Sequence, residues 1–186
     1  SCQEGHLDVA KWLYEIKPNI DIDIDDIFLF SCQFGYLDVA KWLLEIKPTI
    51  DIRADDEEVF RWSCQFGHLD VVKWLYEIKP AIDISAEDEY AFKWSCENGH
   101  LDVAKWLYEI KPAIDISIDD EYAFTYSCQE GHLDVAKWLY EIKPTINISI
   151  QNECAFRECC ENGHLDIAKW LYEINPTINI STSDEY

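Results

Sequence analysis

Cysteine and histidine, both zinc ligands, stand four residues apart five times along the chain, as in Cys96 with His100 and Cys128 with His132. A structural zinc site needs four ligands that converge on one point. Here each cysteine falls on the apolar side of a helix pattern and each histidine lies past a glycine turn. One copy carries Tyr36 in the histidine slot. No metal is expected. Cys154, Cys159 and Cys160 cluster near the C-terminal end, with Arg157 the one cation close in sequence. A reactive thiolate requires positive charge beside it, and a single arginine among acidic residues predicts inert thiols. Acidic pairs such as Asp119-Asp120 stand at helix starts, where carboxylates complement the helix dipole without any catalytic role. No nucleophile elbow, glycine-rich phosphate loop or base–nucleophile constellation is present. The chain reads as a non-enzyme without a cofactor.

What positions these residues is an internal repeat. Gly35, Gly67, Gly99, Gly131 and Gly163 follow one another at steps of 32 residues, each within nearly the same sentence, as in Ser95-Cys-Glu-Asn-Gly-His-Leu-Asp-Val-Ala-Lys-Trp-Leu. A period of this length marks a solenoid, whose units bury their apolar faces only against neighbours. The expected division is a partial repeat over 1–22, full repeats over 23–52, 53–84, 85–116, 117–148 and 149–180, and the start of another over 181–186. The step from Gly5 to Gly35 is 30 residues. The loss falls between Asp26 and Ile27, which predicts a shorter first turn for that helix.

Within 85–116, Ser85-Ala-Glu-Asp88 has the capping-box pattern, with Ser85 as N-cap. A helix, here helix A, then runs to about Asn98 and Gly99 ends it in the left-handed conformation. Phe92, Ser95 and Cys96 share its core face; Tyr90, Trp94 and Glu97 lie opposite. Helix B runs from about Leu101 to Ile110. Its apolar arc, through Leu101, Val103, Ala104, Trp106, Leu107, Tyr108 and Ile110, covers more than half the circumference, as a helix flanked by equivalent helices requires. Pro112 breaks it. Ile114-Asp-Ile-Ser117 alternates and predicts a short extended segment or hairpin arm.

Acidic residues outnumber basic ones 37 to 15, for a net charge of −22. Nucleic acid and anionic membranes, whose affinity rests on Lys and Arg neutralising phosphates, are excluded as partners. A basic protein partner suits the charge, as does simple solubility. Cys32, Cys64, Cys96, Cys128 and Cys160 occupy one slot in successive repeats. Stacked helices lie ~8–10 Å apart, too far for a disulfide between neighbouring copies, so free buried thiols and a reducing compartment, the cytoplasm, are expected. The chain lacks methionine, opens inside a repeat and stops at the start of another, as a stretch of a longer protein would.

Ser95-Cys96-x-x-Gly99-His100-x-x-Val103-Ala104-x-Trp106-Leu107 resembles the A-A-x-x-G-H-x-x-V-V-x-L-L of the ankyrin repeat, and copies at 31–43, 63–75, 127–139 and 159–171 match almost as well. The resemblance covers essentially the whole chain. It implies an α-class, ankyrin-like helical repeat solenoid with short extended or hairpin links, and assigns the cysteine to packing and the histidine to the turn. The family's T-P-L-H is Tyr90-Ala-Phe-Lys93 here, so its hydroxyl and imidazole hydrogen bonds are missing and the first turn of helix A should be longer or tilted. The wording is also similar to the divergent ankyrin repeats of giant DNA viruses, which would make the compartment the host cytoplasm.

In ankyrin-type stacks the inner helices line the concave side. The open face of helix A carries Phe30, Trp62, Trp94 and Tyr126 in its central slot, Phe34 and Phe66 one turn on, and Tyr90 and Tyr122 one turn before. Aromatic rings are enriched at binding hot spots. Asp55, Asp56, Asp88, Asp119 and Asp120 form an acidic rim. The expected function is a protein-interaction scaffold that grips a partner with a basic segment. The alternative is a structural element assembling end to end in a particle or filament.

Overall fold

The computed structural model describes residues 5–17 and 23–178. Eleven helices and no strand are found among them. The start of a repeat expected at 181–186 lies outside the described residues. The chain divides into two compact units, 1–87 and 88–186. Unit 1 contains α1 (Leu7–Ile16), α2 (Ile24–Gln33), α3 (Leu37–Ile46), α4 (Ala54–Gln65) and α5 (Leu69–Ile78). Unit 2 contains α6 (Ala86–Glu97), which begins at the boundary, then α7 (Leu101–Ile110), α8 (Ile118–Gln129), α9 (Leu133–Ile142), α10 (Ile150–Glu161) and α11 (Leu165–Ile174). Even-numbered helices are the A helices and odd-numbered ones the B helices.

The helix ends follow from local chemistry. At the end of α6, Gly99 takes a φ of +76°. Its N–H donates to the Cys96 carbonyl at 3.2 Å, and that of His100 to the Ser95 carbonyl at 2.8 Å. These two bonds satisfy carbonyls the helix leaves open. The B helices stop before proline. The link that follows is two successive turns rather than an extended arm: Ile114 N–H donates to the Lys111 carbonyl at 3.1 Å, and Ile118 N–H to the Asp115 carbonyl at 3.3 Å. Pro112 presets the first turn, and the Asp115 carboxylate, accepting from Ser117 N–H at 3.0 Å, shapes the second. The alternation in Ile114-Asp-Ile-Ser records burial of both isoleucines with Asp115 outside, not a strand.

The A helices begin unexpectedly. Asp55, Asp56 and Glu57 have φ of 49°, 55° and 66°. Glu87, Asp88 and Glu89, and Asp119, Asp120 and Glu121, repeat this left-handed turn. It costs about 1–2 kcal/mol per residue for L-amino acids. No capping box forms: Asp88 is outside any right-handed first turn, and Ser117, in the slot of Ser85, makes no side-chain cap. The short repeat shows the alternative. α2 has ten residues where the other A helices have twelve, and Asp23 caps it, accepting from Asp25 N–H at 3.0 Å. The two extra residues elsewhere are absorbed as the left-handed turn.

That turn drives its third residue inward. Glu57 and Glu121 are buried. Glu57 accepts from Arg53 Nε at 2.7 Å and from the Asp83 N–H of the next link at 3.3 Å. Glu121 accepts from Ser117 Oγ at 2.8 Å and from Asn147 N–H at 3.4 Å. A buried carboxylate needs such partners, and here they tie one repeat to the next link.

In unit 1 the core holds Phe28, Phe60, Leu43 and Leu75; in unit 2, Phe92, Phe124, Leu107 and Leu139, all essentially without solvent contact. Phe92, Ser95 and Cys96 are fully buried, the face the periodicity assigns to the core. Val103, Ala104 and Leu107 form the front of α7, while Trp106, Tyr108 and Ile110 are half-buried flanks. The flanks have defined neighbours. Trp138 packs its ring 6.2 Å from Phe92 and, edge on, 5.9 Å from Tyr108, and Trp170 repeats this with Phe124 and Tyr140. Within unit 1, Phe28 and Trp74 make the same 6.2 Å contact.

Candidate functional site

The cysteine–histidine spacing serves packing. Cys32, Cys64, Cys96 and Cys128 are buried without exposure, and burial pushes each thiol well above its ordinary range. Their histidine partners point to the preceding repeat: His68 lies against Gly35, His132 against Gly99 and His164 against Gly131. Among the described residues no three His, Cys, Asp or Glu side chains gather as a metal set.

The cysteine cluster of α10 shows why its thiols are inert. Cys159 takes the slot of Ser95 and Ser127 and their role: its thiol donates to the Phe156 carbonyl at 3.1 Å, as the serines donate to Phe92 and Phe124. Burial pushes Cys159 up to about 12, and neighbouring Cys160 adds to the effect. Cys160 departs from the expectation of a buried thiol: it is exposed, because no described helix covers that side of α10. Cys154 has Arg157 Nη2 at 4.0 Å, yet its thiol is raised, first by desolvation and then by Glu158. Glu158 already neutralises the arginine at 3.2 Å.

The aromatic face divides between the units. In unit 1, Phe30 and Phe34 stack at 6.2 Å, one turn apart on α2, and Phe34 meets Phe66 of the next repeat at 6.2 Å. These three rings are 37%, 45% and 40% exposed. Trp62 is half-buried. Tyr36 joins the cluster, 6.4 Å from Phe34, while its ring also covers Gly5. Sequence reasoning placed Tyr36 only as a histidine substitute; an aromatic ring two residues from Phe34 was the available signal.

In unit 2 the contacts run along each helix. Tyr90 stacks on Trp94 at 5.1 Å, and Tyr122 on Tyr126 at 4.1 Å. All four rings are half-buried. Tyr122 Oη donates to Glu97 at 2.5 Å, from α8 to α6. Desolvation and then Glu97 hold the phenol above its ordinary range. Lys93, buried, lies 5.4 Å from the centre of the Tyr122 ring and pairs with Asp119 at 2.5 Å. Glu97 and Lys93 had no assigned role in the sequence reading.

The acidic rim residues are all exposed and all in left-handed turns: Asp55 and Asp56 in unit 1, Asp88, Asp119 and Asp120 in unit 2. Part of their field is answered internally. Arg61 donates to the carbonyls of Asp56 at 2.7 Å and Asp55 at 2.9 Å, and Asp119 holds Lys93. No described helix is long and apolar enough to cross a membrane.

The comparisons with known proteins agree with this geometry. The family model described as Ankyrin repeats (3 copies) matches residues 28–120 and 92–184, two overlapping stretches that take in most of the sequence. No curated protein matches the chain. With its paired helices, its glycine turns and this match, the chain belongs to the ankyrin repeat family.

Proposed function

We propose that the chain is a protein-interaction scaffold that holds a partner on the open face of its A helices, with Phe30, Phe34 and Phe66 as the anchor in unit 1. Ankyrin repeats are protein-interaction modules, typically without enzymatic activity. The observation that carries the finer reading is the exposure of these three rings, which touch one another while the phenylalanines of the core slot are fully buried. Contiguous exposed apolar surface marks an interaction site, and aromatic anchors supply most of the energy at such sites. In unit 2, Tyr90, Trp94, Tyr122 and Tyr126 offer less free surface. The partner is a protein segment with apolar residues between lysines or arginines, steered by Asp55, Asp56 and the acidic surface around them. Its compartment on this reading is the cytoplasm, where buried thiols stay reduced.

Selection from a displayed peptide library tests this. Enriched peptides should pair apolar residues with Lys or Arg, and should bind the Phe34→Ala/Phe66→Ala double variant at least about tenfold more weakly, the loss of one hot-spot truncation. Added salt should slow association more than it speeds release. Peptides without basic residues, or with equal affinity for the folded double variant, would overturn the assignment.

A further inference from the structure

We propose that Tyr122 is a phosphorylation site for an acid-directed tyrosine kinase, and that phosphate there opens the contact between α6 and α8. Four observations meet at this residue. Asp119, Asp120 and Glu121 directly precede it, and acidic residues before the target complement the basic substrate cleft of such kinases. Asp119 and Asp120 are exposed. The three residues form a left-handed turn, a strained start that opens before the body of the helix does. The hydroxyl reaches across to the next A helix, where Glu97 accepts its proton at 2.5 Å.

In the transfer, Tyr122 Oη bonds to the γ-phosphorus of ATP as the bond to the β,γ-bridging oxygen breaks. ADP leaves, and the phenol proton passes to the kinase's base. The product lacks the donor that Glu97 holds and places close to two negative charges against that carboxylate. The nearest cation is Lys93, now held by Asp119. Phosphate competes with Asp119 for it, so both cross-repeat contacts, Tyr122–Glu97 and Lys93–Asp119, are exchanged at once. Tyr90 follows the similar run Glu87-Asp88-Glu89, but no such pair of contacts is seen around it.

The inference stands apart from the partner reading, since it is scored on the chain alone. The folded 186-residue chain is incubated with an acid-directed tyrosine kinase and magnesium ATP, and phosphate is located by fragmentation mass spectrometry. Phosphate is expected on Tyr122, absent in Tyr122→Phe, several-fold slower in Asp119→Asn/Asp120→Asn, and several-fold faster in Glu97→Gln, where the hydroxyl is held less tightly. Amide exchange in α6 and α8 should rise after modification. Phosphate on Tyr122 only in urea-unfolded chain, an unchanged rate in the double Asn variant, or unaltered exchange in the modified protein would each overturn it. Peptide binding by the unmodified chain is unaffected by any of these results.

Discussion

The imidazole of His132 fills the space in which Gly99 would carry a side chain: a Cβ there would lie 2.4 Å from Nδ1. The two residues belong to successive repeats, so a turn glycine and a turn histidine register one unit on the next. At Gly163 the φ is +81° but nothing lies within 4 Å of a built Cβ. Gly99→Ala should therefore cost about 1–2 kcal/mol for the left-handed conformation and more for displacing the ring, whereas Gly163→Ala should show the conformational part alone. Urea unfolding of both variants separates the two contributions.

The left-handed turn makes a prediction of opposite sign. Asp56 has a φ of 55° and an exposed side chain. Glycine adopts that conformation without strain but loses more chain entropy on folding. Asp56→Gly should stabilise the protein by about 0.5–1 kcal/mol, and Asp56→Val should destabilise it. A lowered urea midpoint for the glycine variant would mean that the turn is not strained.

Leu107 has no exposure. Leu107→Ala should cost about 2–5 kcal/mol, measured by denaturant unfolding, because α7 is enclosed on its front by its own A helix and on its flanks by equivalent helices.

Stability should fall on the alkaline side. Burial raises Cys32, Cys64, Cys96 and Cys128 above their ordinary value of 9.0. A thiol raised in the folded state stabilises fully below the unfolded value and loses that contribution as pH climbs past it, since the unfolded chain then binds fewer protons. Each such group contributes a slope of about 1.4 kcal/mol per pH unit. The denaturation midpoint should hold from pH 7 to about 8.5 and drop beyond it. Cys96→Ala should drop less steeply.

At the aromatic face, Phe34→Ala should weaken peptide binding by about 1–3 kcal/mol and Trp94→Ala by less, because Phe34 is the more exposed and Trp94 is already stacked on Tyr90. Titration calorimetry with one selected peptide gives both values. Equal losses would spread the binding surface over both units.

The sequence by itself determined what repeats locally. The glycine step of 32 residues, the Phe92–Ser95–Cys96 face and the proline stops each depend on the backbone of one unit, and the period repeats that instruction until it is unmistakable. The ten-residue α2 was legible for the same reason, as a deletion in a known frame. What only the tertiary structure decided is what a residue meets outside its own repeat. Ser85-Ala-Glu-Asp88 is a capping box in isolation; in the fold, burying the third carboxylate of each such run against the next link selects a left-handed turn instead, as at Glu57 and Asp83. Tyr36 reads as a misplaced histidine until its ring is seen between Phe34 and Gly5. Tyr122 and Glu97 stand 25 residues apart, and no periodicity brings them together, because the short bond between them depends on the angle at which one A helix lies beside the next.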